Sequence, residues 1–209
     1  MNITVVGASR GIGHELLRIA LEEGHGVTAL LRNPATLNIS NSRLKIVKGD
    51  ILDPATVAAA VAGNDAVCSC VGIAPTRQPV NAFSRGAECV LAAMRQGTNR
   101  KLITVTGIGA GDSKGHGGFF YDRVFQPLLL GTIYADKDRQ ESMVKASSVE
   151  WLIVRPGFLT NGPRTGTYRV IDNLSGVTAG KISRADVADF MLKQLTTPTH
   201  FRKTPLLTY

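Results

Sequence analysis

The sequence has few of the features that mark membrane, secreted or nucleic-acid-binding proteins. No apolar run approaches the ~20 residues that a helix needs to cross a bilayer, and no basic segment followed by an apolar one opens the chain. Lys and Arg are scattered in runs of no more than two, whereas nucleic-acid-binding proteins usually cluster them. We therefore expect no integral membrane segment, no nucleic-acid partner and a cytoplasmic location.

Cysteine is also scarce, with only Cys68, Cys70 and Cys89 in 209 residues. We interpret the three as buried structural thiols, because free cysteine is commonly buried. We predict no metal site. The net charge of +8 favours anionic ligands such as phosphates or carboxylates.

Short apolar runs alternate with amphipathic helical stretches along the whole chain. The predicted strands cover residues 2–6, 27–32, 44–48, 65–71, 101–106 and 151–155, with a short edge strand near 204–208. The predicted helices cover residues 12–23, 54–62, 79–96 and 134–147, and a last helix opens at a Ser183–Asp186 capping box and ends near Leu195. This alternation is typical of a parallel sheet with helices on both faces.

A glycine-rich turn lies between the first predicted strand and the first predicted helix. Gly7 permits a tight turn, Gly11 lets the backbone approach a pyrophosphate, and Gly13 lets the helix pack closely. The predicted cofactor-binding residues of this turn are Gly7, Ser9, Arg10, Gly11, Ile12 and Gly13. Turn and alternation together predict an α/β fold: one Rossmann-type domain over residues 1–209, with a doubly wound parallel sheet.

The end of the second strand indicates which dinucleotide binds. An NAD site usually has an acidic residue there to bind the ribose hydroxyls, whereas this chain has Arg32. Arg32 and Arg10 can each hold the 2′-phosphate of NADP, or each can be a solvated surface charge. We predict NADPH as the cofactor.

Other strand ends supply further predicted cofactor contacts. Asp50 follows the third strand and either accepts from the adenine amino group or caps a turn. Ile51, Val71 and Gly72 lie at the same predicted edge, and Gly72 is expected to pass close to the cofactor.

The glycine turn, Arg32, the Gly49-Asp50 pair and the segments WLIVRPGFLTNGPRTGTYRV and ISRADVADFMLKQLTT resemble the atypical short-chain dehydrogenases. Within that superfamily the chain is similar to the flavin reductase and biliverdin IXβ reductase group and its NmrA-like relatives. The resemblance implies that Thr106 lies beside the nicotinamide, that Lys137 lines the pocket, and that Pro156, Gly157 and Phe158 form the turn over the cofactor. The glycine spacing is instead that of the ordinary short-chain dehydrogenases.

The resemblance also shows where this chain departs from the group. The positions of a serine and a histidine that line the site in the flavin and biliverdin reductases are Gly107 and Phe158 here. The Tyr-x-x-x-Lys pair of ordinary short-chain dehydrogenases is one residue short, as Tyr134 and Lys137. Residues three apart share a helix face, so Tyr134 is either a proton donor or a packing or surface tyrosine. The predicted catalytic residues are Thr106, Lys137 and Tyr134.

These features favour a reductase that transfers hydride from NADPH to a flat conjugated acceptor such as a flavin or a bilin. Such an acceptor can take its proton from water, whereas a ketone usually needs a positioned acid. Two alternatives stay open: a reductase or epimerase with another substrate, and a non-catalytic NADPH-binding sensor or scaffold of the NmrA-like type. We expect a monomer or a small homo-oligomer.

We expect a substrate-covering segment around residues 107–133, whose aromatic and apolar part, residues 119–130, is called the apolar cover below. It is interpreted as a hydrophobic lid over the acceptor, with core or oligomer packing and a membrane-surface patch as alternatives. Arg77, Arg123 and Arg164 are possible partners for phosphate or propionate groups of a substrate, or solvated charges.

Overall fold

The computed structural model describes residues 1–97 and 101–209 and has an eight-stranded sheet at its centre. Its strands, in chain order, are β1 (Asn2–Val6), β2 (Gly26–Leu31), β3 (Leu44–Lys48), β4 (Ala66–Ser69), β5 (Lys101–Val105), β6 (Glu150–Pro156), β8 (Arg169–Ile171) and β10 (Leu206–Thr208). The order across the sheet is β3-β2-β1-β4-β5-β6-β10-β8, and all neighbours are parallel except β10 and β8. Two more strands, β7 (Phe158–Thr160) and β9 (Lys181–Ser183), form a separate parallel pair.

Helices cover both faces of the sheet. They are α1 (Gly11–Glu22), α2 (Pro54–Val61), α3 (Ala82–Gln96), α4 (Gly131–Lys145) and α5 (Arg184–Thr196). Leu16 of α1 and Phe190 of α5 belong to one apolar core, whereas Val57 of α2, Val90 of α3 and Val144 of α4 belong to the other. The predicted α/β fold with a doubly wound sheet is confirmed.

Local chemistry explains where several helices begin. The Asp53 carboxylate accepts from the amide of Ala55, and Pro54 takes the first position of α2. The Ser183 hydroxyl accepts from the amide of Asp186 at the start of α5. Asp186 does not complete the predicted capping box, because its carboxylate accepts instead from the amides of Thr165 and Gly166.

The structure corrects several of the sequence-based elements. Strand β4 ends at Ser69 rather than at residue 71, and α3 starts at Ala82 rather than at residue 79. The predicted tail strand is β10, and it is not an edge strand because β6 and β8 flank it. The strands β7, β8 and β9 were not predicted, since each has only three residues and no clear alternation. The helix predicted from residue 134 starts at Gly131. It directly follows a π-helix over Tyr121–Leu130, and that π-helix contains most of the apolar cover.

The strand order places the candidate site. The chain reverses direction across the sheet between β1 and β4, and ligands of open α/β sheets bind at such switch points, outside the carboxyl ends of the strands. Gly7, Cys70, Thr106 and Gly157 follow β1, β4, β5 and β6 there.

The three cysteines are free thiols, but only Cys68 is fully buried, while Cys70 and Cys89 are half-buried. Within the described ranges, no helix combines the length and the apolar character that a membrane crossing requires.

Candidate active site

The glycine turn has the close backbone contacts that only glycine allows. Gly7 has a φ of +85°, and a Cβ there would lie 2.8 Å from the carbonyl oxygen of Cys70. A Cβ on Gly13 would lie 2.4 Å from the carbonyl oxygen of Gly7. The turn therefore packs directly against the end of β4, and α1 packs directly against the turn. At Gly11 a Cβ would meet nothing closer than 3.9 Å, so space for a phosphate remains in front of α1.

The amide groups at the start of α1 are free to bind an anion, whereas those of α3 are not. Arg10 does not cap α1 with its side chain, the first turn has no acidic residue, and no side chain in residues 1–97 and 101–209 accepts from the first amides of this helix. At α3 the buried carboxylate of Asp136 accepts from the amides of Phe83 and Ser84 and from the Ser84 hydroxyl. Of these two helix starts, α1 is the one that suits a pyrophosphate.

Ser9, Arg10 and Arg32 are exposed beside this turn and at the end of β2. Neither Arg10 nor Arg32 forms an ion pair with any described residue. Both guanidinium groups are therefore uncompensated charges next to the predicted adenosine end of the site.

The remaining predicted cofactor contacts lie along the same edge. One Asp50 carboxylate oxygen accepts from the amide of Leu52, which is the turn-capping role, and the other oxygen has no hydrogen bond within residues 1–97 and 101–209. Ile51 and Val71 are half-buried against the core that contains α2 and α3, and Gly72 borders open space.

Thr106 lies at the centre of a buried polar network. Its hydroxyl donates to Glu141 over 2.8 Å, and its carbonyl oxygen accepts from the Lys137 ammonium group. Glu141 also accepts from two nitrogen atoms of Arg155, whose side chain is completely buried. Because the Thr106 proton is already donated to Glu141, its hydroxyl can only accept from a ligand.

Two aromatic rings flank the Lys137 side chain. Its Nζ is 5.2 Å from the ring centroids of both Phe83 and Tyr134. Burial lowers the pKa of Lys137 to about 8, and the nearby Glu141 opposes part of that shift. The side chain therefore titrates close to neutral pH, which is unusual for lysine.

The Tyr134 hydroxyl lies close to Gly107, the position at which the family resemblance gives the related reductases a serine. A Cβ on Gly107 would lie 3.0 Å from the Tyr134 hydroxyl and 3.8 Å from Nζ of Lys137. The hydroxyls of Tyr134 and Tyr121 lie 2.9 Å apart, and the Tyr121 hydroxyl lies 3.1 Å from the carbonyl oxygen of Ile108. When Tyr121 donates its single proton to that carbonyl, it accepts from Tyr134. Burial raises the pKa of both tyrosines, so each stays neutral at physiological pH.

Tyr121 was not predicted as a polar site residue, because it lies within an aromatic stretch that suggests only a hydrophobic lid. Its ring also packs edge-on against Phe158, with the centroids 5.2 Å apart. Phe158 follows Pro156 and Gly157, and a Cβ on Gly157 would lie 2.3 Å from the carbonyl oxygen of Gly180. The predicted turn after β6 therefore does approach the rest of the site, through Phe158.

The apolar cover spans the space between two loops of this edge. Gln126 donates to the carbonyl of Gly109 after β5, and the Leu128 carbonyl accepts from Arg77 after β4. Its large side chains are nevertheless exposed: Phe119, Phe120, Val124, Phe125, Leu128 and Leu129. The interpretation of these side chains as core packing is therefore wrong.

The three arginines predicted to face a substrate differ in their surroundings. Arg77 and Arg123 are exposed near the apolar cover. The prediction for Arg164 is wrong, because its guanidinium forms ion pairs with Glu23 and Asp189. The side chain of Arg184, which was not predicted, instead lies next to Gly11. No group of metal-ligating side chains is found among the residues whose structure is described.

Comparison with known proteins shows that the chain binds a nicotinamide cofactor. A family model for NAD(P)H-binding proteins matches residues 7–198. The uncharacterized protein YwnB of Bacillus subtilis is 26% identical over 96% of this chain and 94% of its own length. The NAD(P)H azoreductase of Xenophilus azovorans is also 26% identical, over 95% of this chain and 64% of that protein.

Solved structures share the fold over the full chain. The anaerobilin reductase ChuY of Escherichia coli O157:H7 has a TM-score of 0.84 at 24% identity, covering 100% of this chain and 97% of that one. A short-chain dehydrogenase/reductase of Veillonella parvula in complex with NADP has a TM-score of 0.81 at 17% identity, covering 100% and 94%. At these identities the likeness establishes the fold. The family match over most of the chain establishes that the chain belongs to the NAD(P)H-binding family. Together with the azoreductase relative, this match identifies it as an NAD(P)H-dependent oxidoreductase.

Proposed function

We propose that this oxidoreductase uses NADPH to reduce a flat conjugated acceptor of the flavin or bilin class. The observation that carries the proposal is the apolar surface at the mouth of the site. Phe158 replaces a polar residue of the related reductases, Tyr121 packs edge-on against it, and the exposed apolar cover continues from Tyr121. Flat aromatic ligands bind well on such surfaces. The azoreductase and anaerobilin reductase relatives act on acceptors of this general kind.

The residues of the glycine turn fit a phosphorylated dinucleotide. The turn leaves space in front of Gly11, the amides of α1 are free, and the uncompensated charges of Arg10 and Arg32 suit a 2′-phosphate. When bound, NADPH supplies the hydride. The family resemblance implies that Gly157 and Phe158 would border the nicotinamide end, and the Lys137 ammonium group, which donates to the Thr106 carbonyl, would donate a hydrogen bond to the cofactor beside it. Tyr134, which stays neutral, can donate a proton but cannot act as a base.

The proposal predicts that the purified protein oxidises NADPH only when an acceptor such as FMN, FAD or riboflavin is present. Arg32→Ala is expected to weaken NADPH binding about 10- to 100-fold, because a charge-assisted contact contributes roughly 1.5–3 kcal/mol and each ~1.4 kcal/mol is tenfold. Affinity for NADH, which lacks the 2′-phosphate, should stay unchanged. Absorbance at the nicotinamide band measures turnover, and fluorescence of the reduced nicotinamide measures binding.

Arg169→Ala is the matched control, since Arg169 is an exposed arginine on β8, at the far end of the sheet from β2. It should leave both affinities at the wild-type value. Turnover of ketones with no turnover of flavins would contradict the flat-acceptor proposal. Tight NADPH binding with no turnover of any acceptor would favour the sensor.

A pH dependence follows from the lowered pKa of Lys137. Its side chain is a charged ammonium group below pH 8 and a neutral amine above it. A charge-assisted hydrogen bond is about twice as strong as a neutral one, so NADPH affinity is expected to fall severalfold between pH 7 and pH 9. Tyr134 contributes no step over this range, since its pKa is raised.

Titration of NADPH binding across this pH range checks the prediction. Lys137→Met should bind NADPH weakly at every pH and lose the step. Lys203→Met, which removes an exposed lysine that pairs only with Asp172 among the described residues, should keep the wild-type profile. A step of equal size in Lys137→Met would assign the titration to another group.

A further inference from the structure

We propose that Arg184 binds the pyrophosphate of the nicotinamide cofactor beside the amides of the glycine turn. The proposal deepens the cofactor part of the proposed function and rests on it, but it does not depend on the identity of the acceptor. It concerns a residue of α5, far along the chain from the turn, that no glycine motif includes.

The position of the side chain is the first argument. Nε of Arg184 lies 3.9 Å from the point where a Cβ on Gly11 would be, which is ordinary van der Waals contact. Gly11 opens α1, and its side of the helix start carries the free amides. The guanidinium group therefore borders the space in which an anion bound to these amides would lie.

The second argument is that Arg184 is held in place yet not neutralised. One of its terminal nitrogens donates to the side-chain oxygen of Asn161 over 2.7 Å. Asn161 directly follows β7, which pairs with β9, and β9 leads into α5 at Arg184. No carboxylate of the described residues forms an ion pair with Arg184. Its other nitrogens remain available as donors.

The third argument is the chemistry of the ligand. A dinucleotide pyrophosphate has two negative charges, and the amides of α1 contact it from one side only. A guanidinium group matches phosphate oxygens with paired hydrogen bonds. Because α1 and α5 pack on the same face of the sheet, Arg184 can complete the site without a change of the backbone.

The test separates the pyrophosphate, which NADH and NADPH share, from the 2′-phosphate, which only NADPH has. Arg184→Gln is expected to weaken binding of both cofactors by the same factor, about tenfold. Arg32→Ala should weaken NADPH alone. Arg184→Lys should restore part of the affinity, because it keeps the charge but loses the paired geometry. Binding is measured by nicotinamide fluorescence with no acceptor present, so the result stands whatever the protein reduces.

Two results would overturn the proposal. Wild-type affinity of Arg184→Gln for both cofactors would show that the side chain does not contact the pyrophosphate. A loss confined to NADPH would place Arg184 at the 2′-phosphate instead. Thermal unfolding of each variant shows whether it is folded, and Asn161→Ala, which removes only the residue that orients Arg184, is expected to weaken both cofactors by a smaller common factor.

Discussion

Replacing Glu141 with alanine is expected to lower the free energy of unfolding by about 3–5 kcal/mol, the usual cost of removing one partner of a buried ion pair. Arg155 has no exposed side-chain surface and donates to Glu141 through Nε and Nη2 at 3.0 and 2.6 Å. Its other terminal nitrogen contacts Asp112, whose side chain is largely exposed and screened by water. Without Glu141 the guanidinium would be a buried charge with one weak partner. For a chain of this length, each kcal/mol of lost stability lowers Tm by roughly 2–4 °C, so we expect a fall in Tm of about 6–20 °C.

Glu22→Ala is the matched control. It also removes a helical glutamate that pairs with an arginine, since Glu22 lies 2.6 Å from Arg18, but this pair is at the surface. Exposed pairs contribute about 0–1 kcal/mol. Similar losses in the two variants, measured by urea or thermal unfolding, would show that the buried network is not stabilising. The double variant Glu141→Leu, Arg155→Met should recover much of the stability, because the buried charge leaves with its partner.

This network also connects stability to the site. Glu141 accepts a hydrogen bond from the Thr106 hydroxyl. The loop after β5 contacts the Arg155 guanidinium at Gly111, where a Cβ would lie only 2.5 Å from Nη2. Loss of Glu141 therefore frees Thr106 and the loop that starts at Gly107. We expect Glu141→Ala to lower turnover beyond the effect of stability, even where the variant is still folded.

The glycine turn was predictable from sequence because its requirements are local. A positive φ at Gly7 and the contact between Gly7 and Gly13 depend on residues six apart in the chain, between a strand and a helix. The sheet was predictable for a similar reason, since each main strand is an apolar run bounded by turns. Boundaries failed where strands have three residues, as in β7, β8 and β9.

The polar half of the site was harder to predict because it is tertiary. Tyr134, Lys137 and Glu141 lie at positions three and four apart on α4, so they share one face. A polar helix face can indicate a buried polar network of this kind. In the sequence, however, it cannot be distinguished from a face exposed to solvent when the partner residues are unknown. Those partners are Thr106, which directly follows β5, and Arg155, which lies in β6. Only the strand order places all five together.

Gly107 shows how a departure from the family pattern can be compensated elsewhere. The missing serine suggested a site without a polar group at that point. The structure instead brings the hydroxyl of Tyr134 close to this point, to within 3.0 Å of where a Cβ on Gly107 would lie. The absence of a side chain at Gly107 leaves room for it. The sequence could not predict that a tyrosine hydroxyl lies near Gly107, because Tyr134 is far from Gly107 along the chain.

Replacing Gly13 with alanine is expected to weaken binding of NADPH and NADH alike by about 10- to 100-fold. The new Cβ would lie 2.4 Å from the carbonyl oxygen of Gly7 and 2.9 Å from its carbonyl carbon. Both are backbone atoms, and the turn is already held against Cys70 on its other side, so α1 must move away instead. Such overpacking costs about 1–3 kcal/mol, and ~1.4 kcal/mol is tenfold in affinity. The movement carries the free amides of α1 away from the pyrophosphate.

Gly131→Ala is the matched control for this change. Gly131 opens α4 with helical backbone angles, and a Cβ there would meet only the Gln126 carbonyl oxygen at 3.9 Å. It should bind both cofactors as the wild type does. Calorimetric titration with each cofactor, together with thermal unfolding, separates the two ways in which Gly13→Ala can relieve the clash. If α1 moves, affinity falls and the fold persists. If α1 stays in place, the cost appears as lost stability with affinity retained, and the glycine is then needed for packing rather than for the cofactor.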